Sequence, residues 1–474
     1  MFGDAPASRA KQQHVLRSCE FGGQAGVARG DITPPAGIYF RLWGSAKHDV
    51  PSGVRRPMVM TCAVFADAEG RNPLVLVTLD LSWWRSKEDE TGLRLAVLKA
   101  TGLEEDRLII QPSHSHSAPL ISLDLADKPG GHLVAGFRQH VTETCIRLVA
   151  EARAALVPAM LTWTTSRCQL AFNRNFPSPE DGQSLCGLNP YTKADDALLI
   201  GRAADASGRV LFTLVNYACH PISLGGGNTK VSPDYIGALR ETVEKETGGA
   251  PCLFLHGASG DMAPRRAYES DPAIADKNGR ELGFAALAGL TSMLTPGMAL
   301  VFAGAEQSAT PLAIWREQPQ ATNGRIAVRR VTVRLEVADM PSRDELTQQI
   351  AACTDRTLAE RLNRALLRRQ SVGDDREMDV SFLIWQLGDA FVVALPGEMH
   401  TDFQIRLRQG FPDTQIAVLN IANGSLGYLP PADEFPMRTY QTAIALHKPG
   451  SDDRVLDAAG RVIGEMIAAT RGRD

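Results

Sequence analysis

The stretch Arg107-Leu-Ile-Ile-Gln-Pro-Ser-His-Ser-His-Ser-Ala-Pro119 is an apolar run that feeds directly into two imidazoles. Leu108, Ile109 and Ile110 read as a buried strand. His114 and His116 follow at spacing i, i+2, and in extended backbone such side chains point to the same side. Both rings are therefore expected to face one site just past the strand's end. A neutral imidazole is the commonest protein metal ligand, and a second one beside it can orient water or substrate. The competing reading is a pair of partly exposed loop histidines.

Two further segments repeat the pattern of apolar strand, abrupt turn and metal-competent side chain. In Val210-Leu-Phe-Thr-Leu-Val-Asn-Tyr-Ala-Cys-His-Pro221 the strand ends on His220, and in Phe391-Val-Val-Ala-Leu-Pro-Gly-Glu-Met-His400 it breaks at Pro-Gly and presents Glu398. In α/β sheets, ligands bind in the crevice beyond the strand ends. Two imidazoles and one carboxylate match the protein ligands of many catalytic zinc sites, with room left for water. Taken alone, Glu398 also reads as a helix N-terminal charge favoured by the dipole.

Outward from these segments, strand-like runs rich in Val, Ile, Leu and Phe alternate with helical periodicity, so the fold class is α/β, with mixed β-sheets flanked by helices. Strands are expected at Met58–Ala66, Pro73–Leu79, Arg107–Gln111, Ala197–Ala203, Val210–Tyr217, Pro251–Leu255, Ala299–Ala303, Ile326–Glu336, Val380–Leu387, Ala390–Leu395 and Gln415–Ile421. Helices are expected at Glu88–Thr101, His132–Leu156, Tyr235–Thr247, Asp276–Leu294, Arg343–Gln370, Thr401–Gln409 and Val455–Arg471. Ser342-Arg-Asp-Glu345 forms a capping box before the helical insertion at about 343–370, whose dense charge reads as a solvated face. No linker marks a firm boundary. The expected organisation is an N-terminal tail over 1–20 and one large domain over 21–474. The long loops Asn173–Ala194 and Ser425–Tyr440 are of the kind that carries function.

With 44% hydrophobic and 22% charged residues and a formal net charge of −4, the 474-residue chain has an ordinary globular composition. It carries no basic stripe, so nucleic acid is not an expected partner. No apolar run reaches membrane-spanning length. The N-terminus is polar without a hydrophobic signal core, which makes cytoplasmic the expected location. None of the eight cysteines forms a CxxC pair, and reduced thiols are expected.

At this point the chain resembles the neutral/alkaline (non-lysosomal) ceramidase family over nearly its whole length. Gly26-Val-Ala-Arg-Gly-Asp-Ile-Thr-Pro34 is similar to that family's opening, and His114-Ser-His-Ser-Ala-Pro119 resembles its His-Thr-His-Ser-Gly-Pro. Val215-Asn-Tyr-Ala-Cys-His220 and Ser232-Pro-Asp-Tyr-Ile-Gly237 are similar to the next two blocks. Pro396-Gly-Glu-Met-His-Thr401 resembles Pro-Gly-Glu-Phe-Thr-Thr, and Gly427-Tyr428 with Thr439-Tyr440 resembles the C-terminal Tyr-rich block. The ordered series is more specific than any one motif.

The resemblance implies a ceramidase-like catalytic domain with one zinc ion held by His114, His220, Glu398 and Tyr428. His116 would stand beside the metal as catalytic residue, stabilising the oxyanion or shuttling a proton, and Tyr428 would assist. Asp261, Arg265 and Tyr440 are the expected substrate-binding residues. The implied reaction is hydrolysis of an amide in ceramide or another N-acyl compound by metal-activated water, without nucleic acid or a transmembrane segment.

The match fails at Gly260-Asp-Met-Ala-Pro264, where ceramidases carry a functional serine and this chain has Ala263. That substitution weakens ceramide as substrate. It keeps open a non-lipid ester, a lactone or a small amide, and also a non-catalytic metal-binding homologue. Ser259 is a candidate substitute nucleophile, although Gly257-Ala-Ser-Gly-Asp261 lacks the last glycine of a nucleophile elbow. Arg265 and Arg266, if they face the pocket, would favour a carboxylate or phosphate. The C-terminal immunoglobulin-like domain of ceramidases is expected to be missing.

Overall fold

Strand pairing in the computed structural model, which describes residues 14–373 and 375–471, builds two principal sheets. The larger has eight strands: β1 (Cys19–Asp31), β2 (Val59–Ala66), β3 (Leu74–Leu79), β4 (Leu108–Pro112), β5 (Val157–Arg167), β6 (Ala197–Asp205), β7 (Val210–Tyr217) and β8 (Cys252–His256), in the order β8-β7-β6-β5-β1-β2-β3-β4. Its middle is antiparallel, but the pair at each edge, β3 with β4 and β7 with β8, is parallel. A parallel pair needs a crossover. Helices α1 (Lys87–Thr101) and α3 (Tyr235–Glu246) supply them, while α2 (Val134–Ala154) and α4 (Pro272–Ser292) pack alongside.

The smaller sheet has the order β9 (Ile326–Glu336), β10 (Glu377–Leu387), β11 (Ala390–Ala394), β12 (Ile416–Leu419). Between β9 and β10 stands a helical hairpin, α5 (Arg343–Ala352) and α6 (Arg356–Val372), and the Ser342/Glu345 capping box opens it. Helix α7 (Thr401–Gln409) crosses from β11 to the parallel β12. The chain thus contains three strand–helix–strand units, and their carboxyl ends are where the candidate ligands stand.

Alternation along the strands sorts side chains into separate cores. Cys62, Val64, Val75, Val77 and Ile110 face α1 and α2. Ala63, Phe65, Leu74, Leu76 and Ile109 face inward, where they meet Leu383, Trp385, Val392 and Leu419 of the smaller sheet. The opposite face of that sheet packs α7 and the C-terminal helix Ser451–Arg471, and α3 and α4 cover β6 to β8. Strands buried on both faces read as continuous apolar runs, which is why they were legible.

The large sheet curls until its edges face each other. Gln111 of β4 donates from Nε2 to the carbonyl of His256 in β8 (2.9 Å) and accepts from the His256 amide at Oε1 (3.2 Å).

Three long strands were not foreseen: β1, β5 and Pro311–Pro319. Glycines interrupt β1, and Gly26 is required there because a Cβ would run into the carbonyl of Ala152 at the end of α2. Part of the expected tail is strand, since Val15–Leu16 pairs with Leu300 and Val301 and β1 starts at Cys19; residues 1–13 lie outside the described residues. All eight cysteines are free. Among the described residues no helix is long and apolar enough to cross a membrane.

Candidate metal and substrate site

His114 follows β4, His220 follows β7, His256 ends β8 and Glu398 follows β11, so each site residue sits at the carboxyl end of a parallel strand. His114 and His116 do meet, with Nε2 atoms 3.4 Å apart. The route differs from simple alternation: His114 has φ +66, in the left-handed region. Such a backbone costs a non-glycine residue on the order of 1–3 kcal/mol and persists only where the surroundings enforce it.

The enforcement is visible in its hydrogen bonds. His114 donates from Nδ1 to the carbonyl of Ser82 (2.9 Å), and its amide donates to the carbonyl of Leu81. His220 donates from Nδ1 to the carbonyl of Ser259 (2.6 Å). A carbonyl only accepts, so both protons must lie on Nδ1, and both Nε2 atoms present lone pairs. Those lone pairs converge on Glu398 Oε2, at 3.4 Å from His114 and 3.1 Å from His220. His116 completes the group, its ring between Trp43 (5.2 Å) and Trp83 (5.1 Å). One nitrogen from each of His114, His116 and His220 lies within 4.8 Å of the others.

The electrostatics keep these groups in ligand form. Burial, reinforced by Arg174, brings His220 down to about 3. Burial and the neighbouring His114 hold His116 well below the usual imidazole range. Burial and then Glu398 raise Tyr428 well above its usual value, so it is a neutral phenol. Imidazole Nε2 lone pairs beside a carboxylate suit a divalent cation, and the carbonyls behind the rings act as orienting partners.

Tyr428 pairs with Glu398 in a two-residue parallel bridge, and its hydroxyl stands 3.4 Å from His220 Nε2. Arg174 donates to that hydroxyl (3.0 Å) and to the carbonyl of Gly260 (2.7 Å). Neither Arg174 nor His256 was singled out from the sequence. Arg174 lies in the loop expected to be functional, and the buried His256 ring lies 5.2 Å from that of His114. Ser259 is wholly buried, with Oγ between His256 Nε2 (2.9 Å) and His220 Nδ1 (3.1 Å). It braces imidazoles and has no access to substrate.

A cavity of about 340 Å³ opens from His114, His116, Glu398 and Tyr428, and Trp83 and Tyr440 line it. Two of the expected substrate contacts lie elsewhere. Asp261 accepts from the Thr401 amide (2.8 Å) and hydroxyl (2.9 Å), because a buried carboxylate needs donors and finds them at the start of α7. Arg265 points outward, its side chain 47% exposed and paired with Glu281 at 3.2 Å. Arg266 likewise pairs with Glu269. Ala263 is buried in a short strand paired with Phe172. The insertion's charge is not wholly a solvated face, since Arg364 and Arg368 of α6 line the cavity.

No protein-family model and no curated protein matches the chain. Solved structures do. A ceramidase complexed with C2 matches with a TM-score of 0.69 and 14% sequence identity, covering 96% of this chain and 76% of that chain. Neutral ceramidase from Pseudomonas aeruginosa matches with a TM-score of 0.66 and 14% identity, over 96% of this chain and 75% of that one. The fold is that of these ceramidase structures.

Proposed function

We propose that the chain is a zinc-dependent hydrolase that cleaves the amide bond of an N-acyl compound. The observation that carries this reading is the convergence of the His114 and His220 Nε2 lone pairs on Glu398 Oε2, with both Nδ1 protons committed to carbonyls. Three acceptors facing one another suit a cation between them, besides the Arg174 guanidinium that stands 3.4 Å from His220 Nε2. His114, His220 and Glu398 would hold it, with Tyr428 beside them. A divalent zinc-type ion supplies Lewis acidity there, polarising a carbonyl and lowering the pKa of water towards about 7.

The chain's own residues supply the rest. His116, neutral and on the cavity wall, takes a proton from the attacking water as its oxygen adds to the acyl carbon. It returns that proton to the nitrogen as the C–N bond breaks, giving a carboxylic acid and an amine. Tyr428, kept protonated and fixed by Arg174, donates to the oxygen that gains negative charge. Trp43 and Trp83 hold the His116 ring between them.

Ceramide fits this reading less well than a smaller N-acyl compound, because Ala263 provides no hydroxyl and the cavity volume is at the small end of ligand sites. The test is hydrolysis of ceramides of short and long chain, N-acyl amino acids and N-acyl amino sugars, with zinc and with chelator. Chelator-sensitive turnover and about one metal per chain are expected. Equal turnover with and without chelator, at verified metal removal, would sink the reading.

A further inference from the structure

Arg364 and Arg368 stand one turn apart on α6, and both reach the cavity that contains His114, His116 and Glu398. Most charges on that wall are already matched. Arg85 is bound to Asp124 (2.8 Å), Arg94 to Glu90 (2.5 Å), and Asp379 to Arg334 (3.2 Å). Arg364 is bound to Glu360 (2.7 Å) and lies over the Trp83 ring at 5.4 Å. Arg368 is the exception. Half-buried, it has no carboxylate partner among the described residues, and its electrostatic neighbours are Tyr440 and a second cation, Arg364. Lys87, at the exposed start of α1, adds another cation without an ion pair among the described residues.

Like charges at i, i+4 repel, and a partly desolvated guanidinium without a counter-charge is costly to keep. A ligand that brings the missing anion relieves both. The wall is continuous from there to the metal-type cluster: Arg364 covers Trp83, whose ring lies 5.1 Å from His116, and Tyr440 packs against Tyr428 at 6.1 Å.

We propose that Arg368 seats a carboxylate of the substrate, so that the compound cleaved is an anionic N-acyl amino acid rather than a neutral lipid amide. The guanidinium fork matches a carboxylate with two parallel hydrogen bonds. The apolar acyl part lies against Trp83 and Leu367 while the amide reaches His116. This inference rests on the hydrolase reading above for the reaction, although the anion seat itself does not.

The test compares N-octanoylglycine with its uncharged counterpart, N-octanoylglycinamide, on the zinc-loaded full chain. The kcat/KM ratio of acid to amide is expected to exceed tenfold in the wild type, mostly through KM. It should collapse towards one in Arg368→Gln and be partly kept in Arg368→Lys. A wild-type ratio near one, or a ratio unchanged in Arg368→Gln, overturns the proposal. If neither compound is hydrolysed, calorimetric binding of the same pair separates the two ideas. Acid-selective binding lost in Arg368→Gln supports the anion seat while the hydrolase reading falls. Equal binding of acid and amide overturns the seat.

Discussion

Gln111 and His256, on strands at opposite edges of one sheet, are joined by two hydrogen bonds that imitate a ladder rung: the Gln111 amide group takes both main-chain groups of His256. The same Nε2 also donates to the carbonyl of Asn420, just past β12 of the second sheet (2.8 Å). Replacing Gln111 by Met keeps the volume and leaves the His256 amide and the Asn420 carbonyl unmatched, while the His256 carbonyl keeps the Asn420 amide (2.9 Å). Each costs roughly 1–3 kcal/mol, so a total loss of about 3 kcal/mol is expected in urea denaturation. A loss under about 1 kcal/mol would mean that the sheet edges stay together without the clamp.

Glu398→Gln separates metal binding from folding. The amide can donate to an Nε2 lone pair that the carboxylate only faces, so the metal-free variant should melt at or above the wild-type temperature. Zinc should then stabilise the wild type far more: at a hundredfold excess over Kd the gain is about 2.7 kcal/mol. Equal zinc-induced shifts in Tm for the two proteins would remove Glu398 from the ligand set.

Asp452 gives a pH signature unrelated to the site. Burial first, and Asp453 second, raise its carboxyl to about 6, even though it lies in the first turn of a helix, where the dipole favours its charge. The folded state therefore holds this proton more tightly than the unfolded state, whose carboxyl titrates near 3.9. The stability it contributes is complete below about pH 4 and is lost as pH rises through about 6. Asp452→Asn should be more stable than wild type by about 2 kcal/mol at pH 7.5, with the difference vanishing near pH 4. Thermal melts at both pH values check the sign.

Arg265→Ala should leave hydrolysis within about twofold of wild type and stability within about 1 kcal/mol, as expected of an exposed ion pair. A kcat/KM drop of tenfold or more would return Arg265 to the substrate site.

The parts of the fold legible in the sequence are those whose burial leaves a local pattern, either a continuous apolar run or strict alternation. Val210–Tyr217 spans the same residues in sequence and structure because burial on both faces leaves a largely apolar run, and Ile326–Glu336 does so by alternation, with Val331 and Leu335 buried and Arg330 and Arg334 outside. Strand β1 escaped because its glycines answer to neighbours such as the end of α2, a constraint that local pattern does not carry. At the site, His114, His116, His220, Glu398 and Tyr428 stand together, each after a strand end or in a quoted motif. Arg174 and His256 were hidden for opposite reasons. Arg174 belongs to a loop without periodicity, whereas His256 closes the short apolar run Cys252–His256, which reads as plain core. Arg265 illustrates the reverse error, since nearness in sequence to the altered Gly-Asp-x-Ala-Pro stretch says nothing about the side of the strand on which a side chain emerges.

The left-handed backbone at His114 has a bearing on how the protein could change over time. A conformation unfavourable to every residue with a Cβ is held there by Ser82 and Leu81, and glycine, the one residue at ease with it, would bring no imidazole. Drift at this position therefore meets two opposed demands, one from the main chain and one from the ring. Exchanges that relax the turn surrender the ligand, and exchanges that keep a ligand keep the tension. The Leu81–Ser82 segment enters this compromise through its carbonyls, so what it must keep is the course of its main chain rather than its side chains.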